Sequence, residues 1–150
     1  MKLLYRGTRD GMGSNYFHNK CNNQGPTISL FKNDKGNIFG GYASTDWTSC
    51  NNWKSAPESF IFTLTNIHGT EPTKFPNSNT NYSIYDHSNN GPFFGGGIDI
   101  YINFKSYTSN FPNSYQDTIG KRWSIFSGDN NSSDFNLKEI EVFKLIKGWF

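Results

Sequence analysis

Hydrophobic and polar positions alternate with a period of two in several short runs of this chain. In "SFIFTLT" (59–65), Phe60, Phe62 and Leu64 alternate with Ile61, Thr63 and Thr65, which predicts a central strand. In "GIDIYINF" (97–104), Ile98, Ile100, Ile102 and Phe104 share one face, and Asp99, Tyr101 and Asn103 share the other. That pattern predicts a strand with one buried face. "TISLF" (27–31) and "NIFGGYA" (37–43) flank "KNDKG" (32–36), a polar turn ending in Gly36. A type I turn followed by a left-handed glycine suits this loop, so the pair reads as a hairpin. "KLLYRG", "TKFP" and "YSIYDH" add short strands, and "RWSIF" (122–126) is a further candidate. Short strands at regular intervals, separated by Asn, Ser, Gly and Pro, favour a sandwich or similar all-β body.

Helical spacing is clearest near the start. Ser14 is placed as an N-cap, Phe17 and Cys21 fall at i and i+4, and Gly25 and Pro26 stop the helix. The segment "SSDFNLKEIEVFKLI" (132–146) is ambiguous. As a helix it places Leu137, Ile140 and Lys144 on one face. As a strand it buries Ile140 and Val142 and exposes Glu139 and Glu141.

The chain has 150 residues, which fits a single domain over 1–150 with a real core. Only 34% of residues are hydrophobic, but 17% are aromatic and 14 are Phe, so large rings are expected to fill the core. Both sheets are expected to turn their aromatic faces inward, leaving recognition to loops, an edge or the short helix. The net charge of +2, without a long basic run, lacks the footprint of a nucleic-acid binder. No apolar stretch approaches the roughly 20 residues of a membrane span, and the N-terminus does not read as a signal peptide. A cytoplasmic protein with reduced thiols is expected, without direct membrane insertion and without a Cys21–Cys50 bridge.

Candidate chemistry is sparse. Gly95, Gly96 and Gly97 precede a strand pattern, whereas a phosphate loop leads into a helix N-terminus. They are read as structural, at a bulge or where another element passes too close for a Cβ. The same reading covers Gly40 and Gly41. His18, His68 and His87 are scattered, no G-x-S-x-G elbow occurs, and no Cys or His spacing suits a metal. No catalytic, cofactor-binding or metal residue is therefore assigned. Cys21, beside Lys20, is a candidate redox thiol, set against the preference of cysteine for cores.

Taken in order, "LLYRGTRDGMGSNYFHNKCNNQGPTISLFKNDKGNIFGGYAS", "SFIFTL", "FFGGGIDIYI" and "FNLKEIEVFKL" resemble the TLDc domain family. Each motif alone is common, but the ordered set, from about residue 3 to 145, is specific. The stretches 46–57 and 105–134 carry none of its marks. The resemblance implies a mainly β fold with a few short helices, in which two packed antiparallel sheets form a β-sandwich. It turns the ambiguous C-terminal segment into a strand. It also implies a link to oxidative-stress protection and to binding and regulation of the vacuolar proton-pumping ATPase. That partner would bring a cytoplasmic protein to endomembranes. No agreed catalytic residues come with it. Because relatives carry this domain beside others, the resemblance further implies a domain excised from a longer protein.

The leading reading is a non-catalytic protein-interaction domain needing no cofactor. Two others stay open. One is a redox or hydrolytic enzyme using Cys21 or the histidines. The other is a carbohydrate-binding sandwich using Trp47, Trp53 and Tyr82. For partner binding, Trp47 and Trp53 are singled out in the polar segment 44–59, which lacks regular alternation, because tryptophan is enriched among interface hot spots.

Overall fold

The computed structural model describes residues 1–146. The chain forms β1 (Lys2–Arg6), α1 (Gly7–Asp10), α2 (Ser14–Cys21), β2 (Thr27–Asn33), β3 (Ile38–Ala43) and β4 (Asn52–Lys54). β5 (Phe60–Thr65), β6 (Thr73–Pro76), a 3-10 turn (Thr80–Tyr82), β7 (Ile84–Asp86) and β8 (Phe93–Phe94) follow. The described chain ends with β9 (Ile100–Ile102), β10 (Tyr107–Thr108), α3 (Ser124–Ser127) and β11 (Leu137–Lys144). One sheet has the order β1-β11-β2-β3-β5-β6 and the other β10-β9-β8-β7-β4, all paired antiparallel. The two pack face to face as a β-sandwich.

Alternation decides which side chains enter the core. Thr27, Ser29, Phe31 and Asn33 of β2 are buried, while Ile28 and Leu30 are half-buried on the outside. β11 is a strand, held by β1 on one side and β2 on the other, and it buries Ile140 and Val142. Its outward residues find partners: Arg6 donates to Glu141 at 2.6 Å, and the Thr8 hydroxyl bonds Glu139. The core is aromatic. Phe39 packs against Phe31, Phe126 and Phe135 with centroids 5.3–5.5 Å apart, and Phe111 bridges Phe75 and Phe126.

Four expectations are corrected. Gly13, not Ser14, caps α2, and no side-chain cap forms; an extended Gly13 leads straight into the helix. "RWSIF" is not a strand. Arg122 has φ +58, the turn tightens into α3, and Gly128 ends it in the left-handed region. Ile125 and Phe126 are both buried, so alternation had no exposed side to report. The 97–104 strand shrinks to β9, because Ile98 and Phe104 adopt positive φ, +64 and +69. Finally, segment 44–59 is not all loop, since Asn52–Lys54 pairs with β7.

Candidate functional site

The outer face of the five-stranded sheet carries a row of rings. Trp53 lies opposite Tyr85 across β4 and β7, and Phe93 opposite Tyr101 across β8 and β9. Trp53 contacts Tyr85 at 4.7 Å and Phe93 at 5.5 Å between centroids, and Phe93 contacts Tyr101 at 4.9 Å. Tyr82, on the 3-10 turn, meets Trp53 edge-on at 5.4 Å and is 43% exposed. Trp53, Tyr85 and Tyr101 are half-buried, and they roof Phe93. Aromatics therefore do not all turn inward. The other sheet also shows Tyr42 and Phe60 outside, 5.2 Å apart, with the Lys74 ammonium over the Phe60 ring. The missed signal was in the alternation itself. With Ile84, Ile100 and Ile102 facing the core, Tyr85 and Tyr101 must face out.

The two tryptophans part company. Trp47 has no exposed surface; its Nε1–H donates to Thr27 Oγ1 at 3.0 Å, and it packs edge-on against Phe17 and Phe94. It is placed as a core residue. Trp53 ends the outer ring row, at the free edge of β4.

Beside Trp53 opens a cleft of about 390 Å³, walled by the 3-10 turn, the turn 95–98 and the loop at Asn113 and Ser114. Its walls are tied from beneath by Asp99. The Asp99 carboxylate is fully buried and accepts the backbone N–H groups of Asn113, Ser114 and Tyr115 at 2.8, 2.9 and 3.1 Å. Alternation had put Asp99 on the face opposite the isoleucines. The backbone reverses at Ile98 and sends the carboxylate inward instead. Burial pushes its pKa up to about 6, despite the three N–H groups that favour the anion. Ser114 Oγ accepts the Gly96 N–H at 2.9 Å, and Asn113 Nδ2 donates to the Gly97 carbonyl at 3.0 Å.

The glycines sit where the walls are closest. Gly95 has φ +91, and a Cβ there would overlap the Asp99 carboxylate. A Cβ on Gly96 would come within 2.9 Å of Tyr82 Cβ, and one on Gly97 would overlap the Asn113 side chain. Gly41 lies on the inner face against the Phe94 ring, and Gly40 lies outside beneath the Phe62 ring. The Gly95 N–H donates to the Ser83 carbonyl and the Ile98 N–H to the Gly95 carbonyl, so these donors do not face an anion.

Cys21 is fully buried on α2, and burial pushes its thiol up to about 12. The sulfur is held as a thiol out of reach of solvent. Cys50 is exposed, and both cysteines are free. His18 is buried; its Nε2–H donates to the carbonyls of His87 and Asn90 at 2.9 and 2.8 Å, which ties α2 to the loop after β7. His68 Nε2 lies 2.8 Å from Ser124 Oγ, but Ser124 is 3% exposed and donates its own proton to the Lys121 carbonyl. Among the described residues no carboxylate bonds His68, so this pair fastens α3 rather than forming a nucleophile and base with an orienter. Among the described residues no group of three His, Cys, Asp or Glu could hold a metal, and no helix is long and apolar enough to cross a membrane.

Compared with known families, the chain matches the family model of the TLDc domain over residues 1–146. No match appears among curated proteins.

Proposed function

The chain belongs to the TLDc domain family, and from that premise we propose that it is a non-catalytic protein-interaction domain. In this reading it binds subunits of the vacuolar proton-pumping ATPase. It acts from the cytoplasm at endomembranes, in the service of oxidative-stress protection. The observation that supports the reading is the ring row ending in Trp53. A half-exposed Trp flanked by Tyr and roofing a buried Phe offers much apolar area with few rotors to freeze. That is the composition of an interface centre rather than of a solvated sheet face. Four short paired strands, β4, β7, β8 and β9, with the sandwich beneath them, hold the row in place, so little ordering is needed on binding.

The test is direct binding of the purified chain to the purified soluble sector of the pump, measured by biolayer interferometry. Saturable binding that Trp53→Ala weakens supports the reading. Absence of binding to the soluble sector and to the detergent-solubilised holoenzyme removes the pump as partner.

A further inference from the structure

We propose that the cleft beside Trp53 is a binding site for an uncharged saccharide. It shares Trp53 with the partner reading, but its polar walls at Asn79, Asn113 and Ser114 lie off the ring row. The cleft holds about 390 Å³, at the lower end of the roughly 300–1,000 Å³ of small-molecule sites.

Its lining is the argument. Among the described residues no charged side chain lines the cleft. Asp99, the nearest carboxylate beneath it, is fully buried and occupied by three N–H groups. Among these residues an anionic ligand finds no countercharge, and the amides of Gly95, Gly96 and Ile98 that could stand in for one are already bonded within the fold. An apolar ligand fares no better. Among the described residues, the Asn79 side chain, the Tyr82 hydroxyl and Asn113 Oδ1 make no hydrogen bond, and the Ser114 hydroxyl accepts one without donating. Covering these groups with hydrocarbon would strip their water without replacement, which is costly.

A neutral sugar satisfies both constraints. Each hydroxyl donates and accepts, matching an amide that does both, an amide oxygen that accepts and a serine proton still to be given. Its C–H face matches the Tyr82 and Trp53 rings, which stand at 89° to each other at one end of the cleft. The walls are set in advance. Asp99 fixes the 113–115 backbone, Ser114 fixes Gly96, and Asn113 fixes Gly97. A Cβ at Gly96 or Gly97 would intrude on these contacts.

The experiment is an amide NMR titration of the whole chain with malto-, cello- and chito-oligosaccharides, with inorganic phosphate run in parallel. Saturable shifts at the backbone amides of Gly96, Gly97, Asn113 and Ser114 and at the Trp53 indole are expected with at least one sugar. Asn79→Ala removes a side chain that the fold does not use. It should weaken that binding about tenfold, and Tyr82→Phe by a smaller factor, with melting temperature unchanged. No saturable shift with any sugar overturns the proposal. So does binding indifferent to Asn79→Ala, or a phosphate response at the same amides that exceeds the sugar response. Asn79→Ala, off the ring row, should weaken sugar binding and leave pump binding unchanged, which separates the two proposals.

Discussion

Gly95 lies directly over Asp99: a Cβ on the glycine would occupy the space of the carboxylate. The contact joins two requirements at one point, a left-handed backbone at φ +91 and a buried anion that braces the loop at 113–115.

Gly95→Ala should therefore lose stability twice, from backbone strain of about 1–3 kcal/mol and from displacement of Asp99. Gly36→Ala is the control. Its φ is +82, yet nothing lies within 4 Å of the added Cβ, so only the backbone strain remains. Urea midpoints should place Gly95→Ala clearly below Gly36→Ala. Equal losses would show that the Asp99 contact does not matter.

Asp99 also sets an inverted pH dependence. Its folded pKa of about 6 lies above the ordinary 3.8. Between these values the native state keeps a proton that the unfolded chain releases. This group's contribution is thus greatest below about pH 4 and falls as pH rises to about 6, by about 3 kcal/mol in all. Ordinary carboxylates, with depressed values, do the opposite. Unfolding free energies of the native chain and Asp99→Asn, taken at steps across this window, should diverge in slope, the native chain losing more stability with rising pH. Parallel profiles would refute the assignment.

The thiols should differ sharply in reactivity. Cys50 is exposed, whereas Cys21 is buried with its pKa raised to about 12. Iodoacetamide should label Cys50 rapidly and Cys21 only on unfolding, and non-reducing mass spectrometry should find no bridge. Fast labelling of Cys21 in the folded chain would restore a redox role for it.

Much of this architecture was legible because alternation is a local property. The pair Ile140 and Val142, alternating with Glu139 and Glu141, could be read as a strand once the family resemblance had settled its kind. In the hairpin, Gly36 supplied the left-handed residue that its loop required, at φ +82. Alternation failed where the backbone stops being regular. Positive φ at Ile98 reversed the direction in which Asp99 points, and no residue-type rule marks an isoleucine for that conformation. It also failed where both faces are buried, as at Ile125 and Phe126 in α3. Trp53 and its neighbour Tyr82 were found for their type, but not the rest of the row. Its row is assembled from β4, β7, β8 and β9, strands of two or three residues too short to show a period. The cleft was invisible for the same reason, since its walls come from segments separated by tens of residues.

Val at position 96 tests whether the close wall matters to the fold. The added side chain would meet Tyr82 Cβ, which at 2.9 Å has no rotamer by which to retreat. Gly96→Val should lower the melting temperature by several degrees, as expected for about 1–3 kcal/mol in a domain of this size. A variant with an unchanged melting temperature would mean that the 3-10 turn yields freely.

The two tryptophans make the sharpest contrast. Trp47 fills the core between α2 and β8, and its Nε1–H is satisfied only by Thr27. Trp47→Ala leaves a cavity and an unpaired hydroxyl acceptor, a loss of about 3–5 kcal/mol, which is a large share of an ordinary domain's stability, so the melting temperature should fall steeply. Trp53 instead covers one side of Phe93 while keeping part of its own surface open. Trp53→Ala gives up contacts on one side only, so circular dichroism should be preserved and the melting temperature lowered modestly. If the ring row is the interface, the same substitution should weaken partner binding at least about thirtyfold, the roughly 2 kcal/mol of a hot spot. Tyr101→Ala, at the far end of the row, should weaken it as well, because binding along a row draws on both ends. Binding lost in Trp53→Ala but untouched in Tyr101→Ala would confine the interface to the edge of β4. Binding untouched in both would remove this face from recognition altogether.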